Sequence, residues 1–194
     1  LAGSNPVSTL DLRKDQSQVF RHIGNLQADY KIHGFEDLKL NINTGFDILK
    51  SDGDVFVPDN SSLAWTSIGR DGQGLKEVYS QRKNNLQLDA FANYTKTISN
   101  HKIDIMGGYS WQHFWKNYAD NQTNLTGNKI YKDIMSKSEY YLVSFYGRLN
   151  YTFNDKYLFT ATLRNDGSSR FSKDNHWGLF PSAAFAWKIK EENL

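Results

Sequence analysis

Histidines are the first candidates for chemistry, and this chain has them at His22, His33, His101, His113 and His176. No two are spaced i, i+4, the spacing that puts two imidazoles on one helix face to hold zinc. There is no cysteine, which excludes disulfides, thiolate-metal sites and a cysteine nucleophile. Asp52, Asp54 and Asp59 could supply oxygens to calcium, but the register of an EF-hand loop is absent. A solvated acidic stretch is the expected reading. Gly72-Gln-Gly74 lacks the rest of a phosphate loop and reads as a turn. No Gly-x-Ser-x-Gly elbow occurs. The aspartates are spread along the chain and do not pair as glycoside hydrolysis requires. The expectation is therefore no enzyme, no metal and no cofactor.

Aromatic residues in polar surroundings offer a different chemistry. Trp65, Tyr118 and Tyr131 sit in long polar stretches, with Trp115 beside one of them. Exposed rings stack on sugars and often mark binding loops. The alternative is an interfacial ring at the level of lipid headgroups. Trp111 and Trp115 are read as interfacial. For Trp65 and Tyr118 both readings stay open.

The elements that must carry these residues are strands. From Tyr140 to Phe153, Tyr141, Val143, Phe145, Leu149, Tyr151 and Phe153 alternate with Ser144, Arg148, Asn150 and Thr152. Successive side chains of a strand point to opposite faces, so one face is apolar and the other polar. Tyr157, Phe159, Ala161 and Leu163 repeat the pattern against Thr160, Thr162, Arg164 and Asp166. Trp177, Leu179, Ala183, Phe185, Trp187 and Ile189 continue it. Upstream, strands are expected over about 17–32, 38–49, 75–97 and 102–115. There Arg21, Asn25, Asp29, Asn41 and Asn43 fall on the polar face.

The runs are about 10–14 residues long, beyond the usual strand and enough to cross a membrane. The expected links alternate. Short ones lie near 33–37, 99–102, 154–156 and 190–193, and long ones near 50–75, 116–139 and 167–176. This is the plan of an outer-membrane β-barrel, with short periplasmic turns and long outer loops. The fold class expected is all-β, an antiparallel transmembrane barrel of which about seven strands are present. A barrel of this kind closes with an even number of strands, and plugged transporters use 22, so the chain reads as an internal piece of a longer polypeptide. Arg21, Asn25, Asp29, Asn41, Asn43, Arg148, Asn150 and Arg164 would line the lumen. Leu149, Tyr151, Phe153, Phe159, Phe185 and Trp187 would meet lipid. Arg164, Asp166 and Arg170 bracket Asp-Gly-Ser-Ser; their charges are expected to pair at the outer rim, with solute contact the alternative.

The totals agree. Net charge is +2, which selects no acidic partner, nucleic acid included. Mean hydropathy is −0.65, too polar for a helical membrane protein. A barrel tolerates that value, because only alternate residues meet lipid. No apolar run approaches the length of a membrane helix, and no signal peptide opens the chain.

Several motifs also carry a resemblance. Phe145-Tyr-Gly-Arg-Leu-Asn-Tyr151, Leu158-Phe-Thr-Ala-Thr-Leu-Arg164, Asp166-Gly-Ser-Ser-Arg-Phe171 and Trp177-Gly-Leu-Phe-Pro-Ser182 resemble the barrel of SusC/RagA-type TonB-dependent transporters. Asn5-Pro-Val, Ile23-Gly-Asn-Leu-Gln27 and Asn93-Tyr-Thr-Lys96 fit the same family. The resemblance covers most of residues 1–194 as a partial barrel domain; the plug domain, the TonB box and the remaining strands would lie elsewhere. It implies a multi-pass protein of the bacterial outer membrane that imports glycans or peptides. Its partners would be a SusD-like surface lipoprotein and the TonB complex. Periodicity alone gives only a transmembrane barrel; transport comes from the resemblance. A passive porin and a soluble all-β carbohydrate-binding module are the alternatives. On the bacterial reading that the resemblance implies, the Asn-x-Ser/Thr patterns at Asn60, Asn93, Asn121, Asn124 and Asn150 are expected to be chance.

Overall fold

The structure is a computed structural model that describes residues 6–66 and 71–191. Seven strands form one sheet in sequence order, β1 to β7. They are β1 (Lys14–Lys31), β2 (Leu38–Val57), β3 (Leu75–Ile98), β4 (His101–Thr123), β5 (Ile130–Phe153), β6 (Tyr157–Ser168) and β7 (Trp177–Trp187). Two short helices accompany them, α1 (Pro6–Leu12) and α2 (Leu63–Thr66).

The sequence expectations need four corrections. No regular element is expected before residue 17, yet α1 occupies Pro6–Leu12. Pro6 starts it, where its fixed φ suits a helix and its missing N–H costs nothing. The long link expected near 116–139 is largely strand, because β4 runs to Thr123 and β5 starts at Ile130, and the one expected near 50–75 is strand as far as Val57. Polar residues dominate most of those extensions, so the alternation that marks the other strands is weak there. Tyr118 and Tyr131 consequently lie on β4 and β5, not in a loop. Finally, β7 ends at Trp187, so Ile189, expected to continue its apolar face, instead opens a 3-10 turn over Ile189–Glu191. Asn5, residues 67–70 and residues 192–193, which fall in expected motifs and links, lie outside the described residues.

The short turns have a local cause. Asn154 and Asp155 have φ of 51° and 53°. Two successive left-handed residues make the hairpin turn whose twist matches the flanking strands, and Asn and Asp tolerate that region best. The Lys156 amide closes the turn on the Phe153 carbonyl at 3.0 Å.

The chain packs as two units. One comprises residues up to His22, Asp47–Asn84 and Trp115–Glu139. It holds a small core of Val55, Val57 and Leu75, with Leu63, Tyr79 and Tyr131 packed against it. Gly74, at φ +69°, lets the backbone pass Val57; a Cβ there would sit 2.6 Å from the Val57 carbonyl oxygen. The other unit comprises Ile23–Phe46, Asn85–Phe114 and Tyr140 onward. It has no buried apolar side chain among the described residues. One of its faces carries open apolar side chains, with Phe145 51%, Phe185 68% and Trp187 50% exposed.

Register fixes that face. Leu149 pairs with Ala161, Tyr151 with Phe159 and Phe153 with Tyr157. Phe159 pairs with Phe185 and Tyr157 with Trp187. Opposite them, Arg148 pairs with Thr162, Asn150 with Thr160 and Tyr146 with Arg164.

Candidate functional site

The polar face of β4–β7 is concave near the β6–β7 link. Ser110 and Gln112 from β4, Leu142 and Ser144 from β5, and Arg164 and Asp166 from β6 line a cavity of about 520 Å3. β7 adds Gly178 and Phe180, and the link adds Phe171 and His176. Ser144 is buried and accepts a hydrogen bond from Arg164 Nη2 at 3.0 Å. Arg164 Nε donates to Asp166 Oδ1 at 2.6 Å. The expected pairing of Arg164 with Asp166 is therefore present.

Arg170 does not join that pair. Its guanidinium lies 4.0 Å from the centroid of Tyr140, a cation–π contact. The Ser169 amide donates to the Tyr141 carbonyl, and the Tyr141 amide donates back to Ser169 Oγ. His176 Nδ1 lies 3.0 Å from the Ser168 carbonyl. A carbonyl can only accept, so that ring nitrogen carries the proton. The link is thus tied to the strand ends that frame the cavity.

Farther along the same face, polar groups form a ladder. Asp104 accepts from Asn93 at 3.0 Å, Thr95 at 2.8 Å and Asn150 at 3.1 Å. Thr160 donates to Asn150 Oδ1 at 2.9 Å. Asn41 donates to Asp29 at 2.5 Å. In the other unit, Arg21 grips Asp47 with two bonds of 2.8 and 2.9 Å.

The opposite face carries two groups of rings. His113 stacks on Tyr141 at 4.3 Å, Trp111 lies 6.3 Å from Tyr141, and Phe145 lies 5.3 Å from Tyr109 and 6.1 Å from Trp177. Near the short turns, Phe153 lies 4.9 Å from His101, and Tyr157 lies 6.3 Å from both Phe153 and Trp187.

The three aromatic residues singled out for solute or partner contact behave differently from one another. Tyr131 packs on the small core and donates to Asp71 at 2.9 Å. Tyr118 donates to the buried Asp120 at 3.1 Å, which Lys132 also contacts at 2.6 Å. Trp65, on α2, is 62% exposed, with its ring packed against Gly72.

Sequence reading missed the hub that orders the neighbouring links. Asn124 is buried, and its side-chain nitrogen lies 2.6 Å from Gln73 Oε1, 2.9 Å from Thr126 Oγ1 and 2.5 Å from Asn128 Oδ1. Its side-chain oxygen accepts from the Lys129 amide at 3.1 Å. The available signal was Asn124-Leu-Thr-Gly-Asn128, a turn sequence rich in residues that bond their own backbone. Lys129 also donates to Asp71 at 2.6 Å. That bond first, then those from the Gln73 amide and the Tyr131 hydroxyl, hold the Asp71 carboxyl at about 2. Among the described residues, no group of three His, Cys, Asp or Glu could hold a metal ion.

The family profile described as "TonB dependent receptor-like, beta-barrel" matches residues 2–193. The chain is 36% identical to the TonB-dependent receptor SusC of Bacteroides thetaiotaomicron over 98% of its length, and 31% identical to the TonB-dependent receptor P3 of Formosa agariphila. It spans about a fifth of each relative, 19% and 20%. The solved structure of the RagAB peptide transporter superposes with a TM-score of 0.80 at 21% identity, over 94% of this chain and 22% of that one. Sequence profile, relatives and fold agree, and the chain belongs to the TonB-dependent receptor β-barrel family, on its SusC-like side.

Proposed function

We propose that this chain is part of the barrel wall of an outer-membrane active transporter, one that imports glycans or peptides with a SusD-like lipoprotein and draws energy through TonB. The observation that carries the proposal is the division of faces. Three registered strands present rows of exposed apolar side chains on one side and a hydrogen-bonded polar wall on the other. A sheet with so much open apolar surface needs an apolar medium against it, and lipid supplies one. Leu149, Tyr151, Phe153, Phe159, Phe185 and Trp187 then meet hydrocarbon or its borders. Arg148, Asn150 and Arg164 face the lumen with Asn25, Asp29, Asn41 and Asn43, and Arg21 follows the same parity.

Strand geometry supports the placement. Trp177 and Trp187 bound β7. Ten steps at about 3.4 Å, tilted by about 35–45°, span about 24–28 Å along the membrane normal. That matches the apolar band of outer-membrane barrels, about 25 Å between aromatic girdles. The two groups of rings would be those girdles, and Trp111 falls in the outer one. Trp65 then lies among the outer links, open to a lipoprotein or a solute.

The test is uptake by cells carrying the full-length protein, with and without a proton-motive uncoupler. Loss of uptake on uncoupling is expected. Equal uptake in both conditions would make the protein a passive porin. Recovery of the full-length protein in the soluble fraction without detergent would make it a soluble carbohydrate-binding module.

A further inference from the structure

We infer that the cleft between the β3–β4 turn and the β5–β6 turn binds the headgroup of a zwitterionic phospholipid, phosphoethanolamine by class. This rests on the reading of the sheet as barrel wall, with the short turns at its inner rim, and adds a lipid to the partners of that wall.

Charge singles out the cleft. Its volume is about 210 Å3, and it is lined by Thr97 of β3, Lys102 of β4 and the turn residues Ser99, Asn100, Asn154 and Asp155. It holds one cation and one anion, both exposed. Among the described residues neither has an ion-pair partner. Phosphoethanolamine carries the complementary pair, a phosphate for Lys102 and an ammonium for Asp155, each able to form a charge-assisted hydrogen bond. An anionic headgroup would answer Lys102 alone, and a trimethylated one has no N–H to give Asp155.

The uncharged lining is equally unspent. Among the described residues, the hydroxyls of Thr97 and Ser99 and the side-chain amides of Asn100 and Asn154 make no hydrogen bond. Higher on the same strands, Asn93, Thr95 and Asn150 all bond Asp104. The backbone joins the two turns, since the Asn154 amide donates to the Asn100 carbonyl at 2.9 Å. Ser99, Asn154 and Asp155 have φ of 50°, 51° and 53°. Glycine takes that region at least cost, yet all three positions keep a polar side chain.

Position favours a lipid. His101, exposed between Asn100 and Lys102, has Nδ1 2.7 Å from the Tyr151 hydroxyl and its ring 4.9 Å from Phe153. Phe153 and Tyr157 flank the other turn, 6.3 Å apart. Such rings gather at the headgroup level of a membrane. The apolar face of β5–β7 then lies beside the cleft for acyl chains. None of the six lining residues belongs to the motifs that carry the family resemblance.

Native mass spectrometry of the full-length protein in detergent tests this. The probes are dioleoyl-phosphatidylethanolamine, dioleoyl-phosphatidylcholine and dioleoyl-phosphatidylglycerol, each alone, and free phosphoethanolamine. Phosphatidylethanolamine is expected to bind about fivefold or more tighter than the other two lipids. Asp155→Asn should remove that preference without weakening phosphatidylglycerol, and Lys102→Gln should weaken all three lipids about fivefold. Lys173→Gln, in the β6–β7 link, should leave phosphatidylethanolamine within about twofold. Heat-modifiable migration checks that each variant folds, and asparagine tolerates the left-handed φ at 155. Equal binding of the three lipids, tighter binding of phosphatidylglycerol, a preference that survives Asp155→Asn, or lipid binding that ignores Lys102→Gln overturns the inference. So does free phosphoethanolamine binding as tightly as the lipid. A protein that inserts into phosphatidylcholine liposomes but shows no headgroup preference sinks this inference and leaves the barrel-wall reading standing; failure to insert sinks both.

Discussion

The stretch from Tyr140 to Trp187 and the residues of Asp47–Asn84 and Trp115–Glu139 solve the same problem, holding long strands in place, by different means. In the first, two faces divide the chemistry. Polar side chains bond across strands, as Asn150 does to Asp104 and Thr160, while apolar side chains stay open. In the second, Val55, Val57 and Leu75 close a dry core, and Asn124 and Asp120 are buried with polar partners. On the proposed placement, the strand set that makes its own core would stand in water, and the one that leaves its apolar face uncovered would stand against lipid.

The largest expected effect comes from placing a charge on the open face. Leu149→Arg should cost about 2–4 kcal/mol if the residue lies near the bilayer midplane, and the heat-modifiable form of the full-length protein should be lost or weakened. The same charge one residue on should be far milder. Asn150→Arg gives up the bond from Thr160 but can still donate to Asp104, and assembly should survive. If Asn150→Arg blocked assembly and Leu149→Arg did not, the two faces would be exchanged.

The water-facing region breaks elsewhere. Asn124→Ala leaves the Gln73 side chain and the Lys129 amide without their partner, at about 1–3 kcal/mol. Hydrogen exchange should rise across 71–74 and 124–129, with the barrel still assembled. Unchanged exchange there would remove the hub from the account.

The smallest effect is set by pH. The Asp71 carboxyl is held at about 2 against an ordinary value of 3.8, chiefly by Lys129. A depressed carboxylate contributes its stability in full above its unfolded value and loses it as pH falls through the folded one. The protection of 71–74 and 124–129 should persist at pH 4 and fall toward pH 2. Asp71→Asn should abolish that step, and a step near pH 4 in the parent protein would contradict the clamp.

Legibility in the sequence followed the same division. Where water and lipid impose opposite demands, period-two alternation fixes the faces. Parity puts Leu149 and Asn150 on opposite faces of β5, where they pair with Ala161 and Thr160. Where the alternation is weak, the signal fades, so Tyr118 and Tyr131 read as loop residues although β4 and β5 carry them. The cavity was half legible. Arg164 and Asp166 stood out as a pair, but Ser144 gains its importance only from a neighbouring strand 20 residues away. Asn124 was hidden by type, since a buried amide hub and an exposed turn use the same residues.

The central claim is that parity along β5 separates lipid from lumen. Single cysteines can be introduced one at a time at positions 143–151 of the full-length protein, in a background from which any cysteine outside these 194 residues, which hold none, has been removed. Each can then be spin-labelled in liposomes and probed with oxygen, which collects in lipid, and with a water-soluble nickel chelate. Labels at 143, 145, 147, 149 and 151 should be relaxed by oxygen, and labels at 144, 146, 148 and 150 by the chelate wherever the lumen admits it. Uniform accessibility along the strand, or the opposite alternation, would contradict the account.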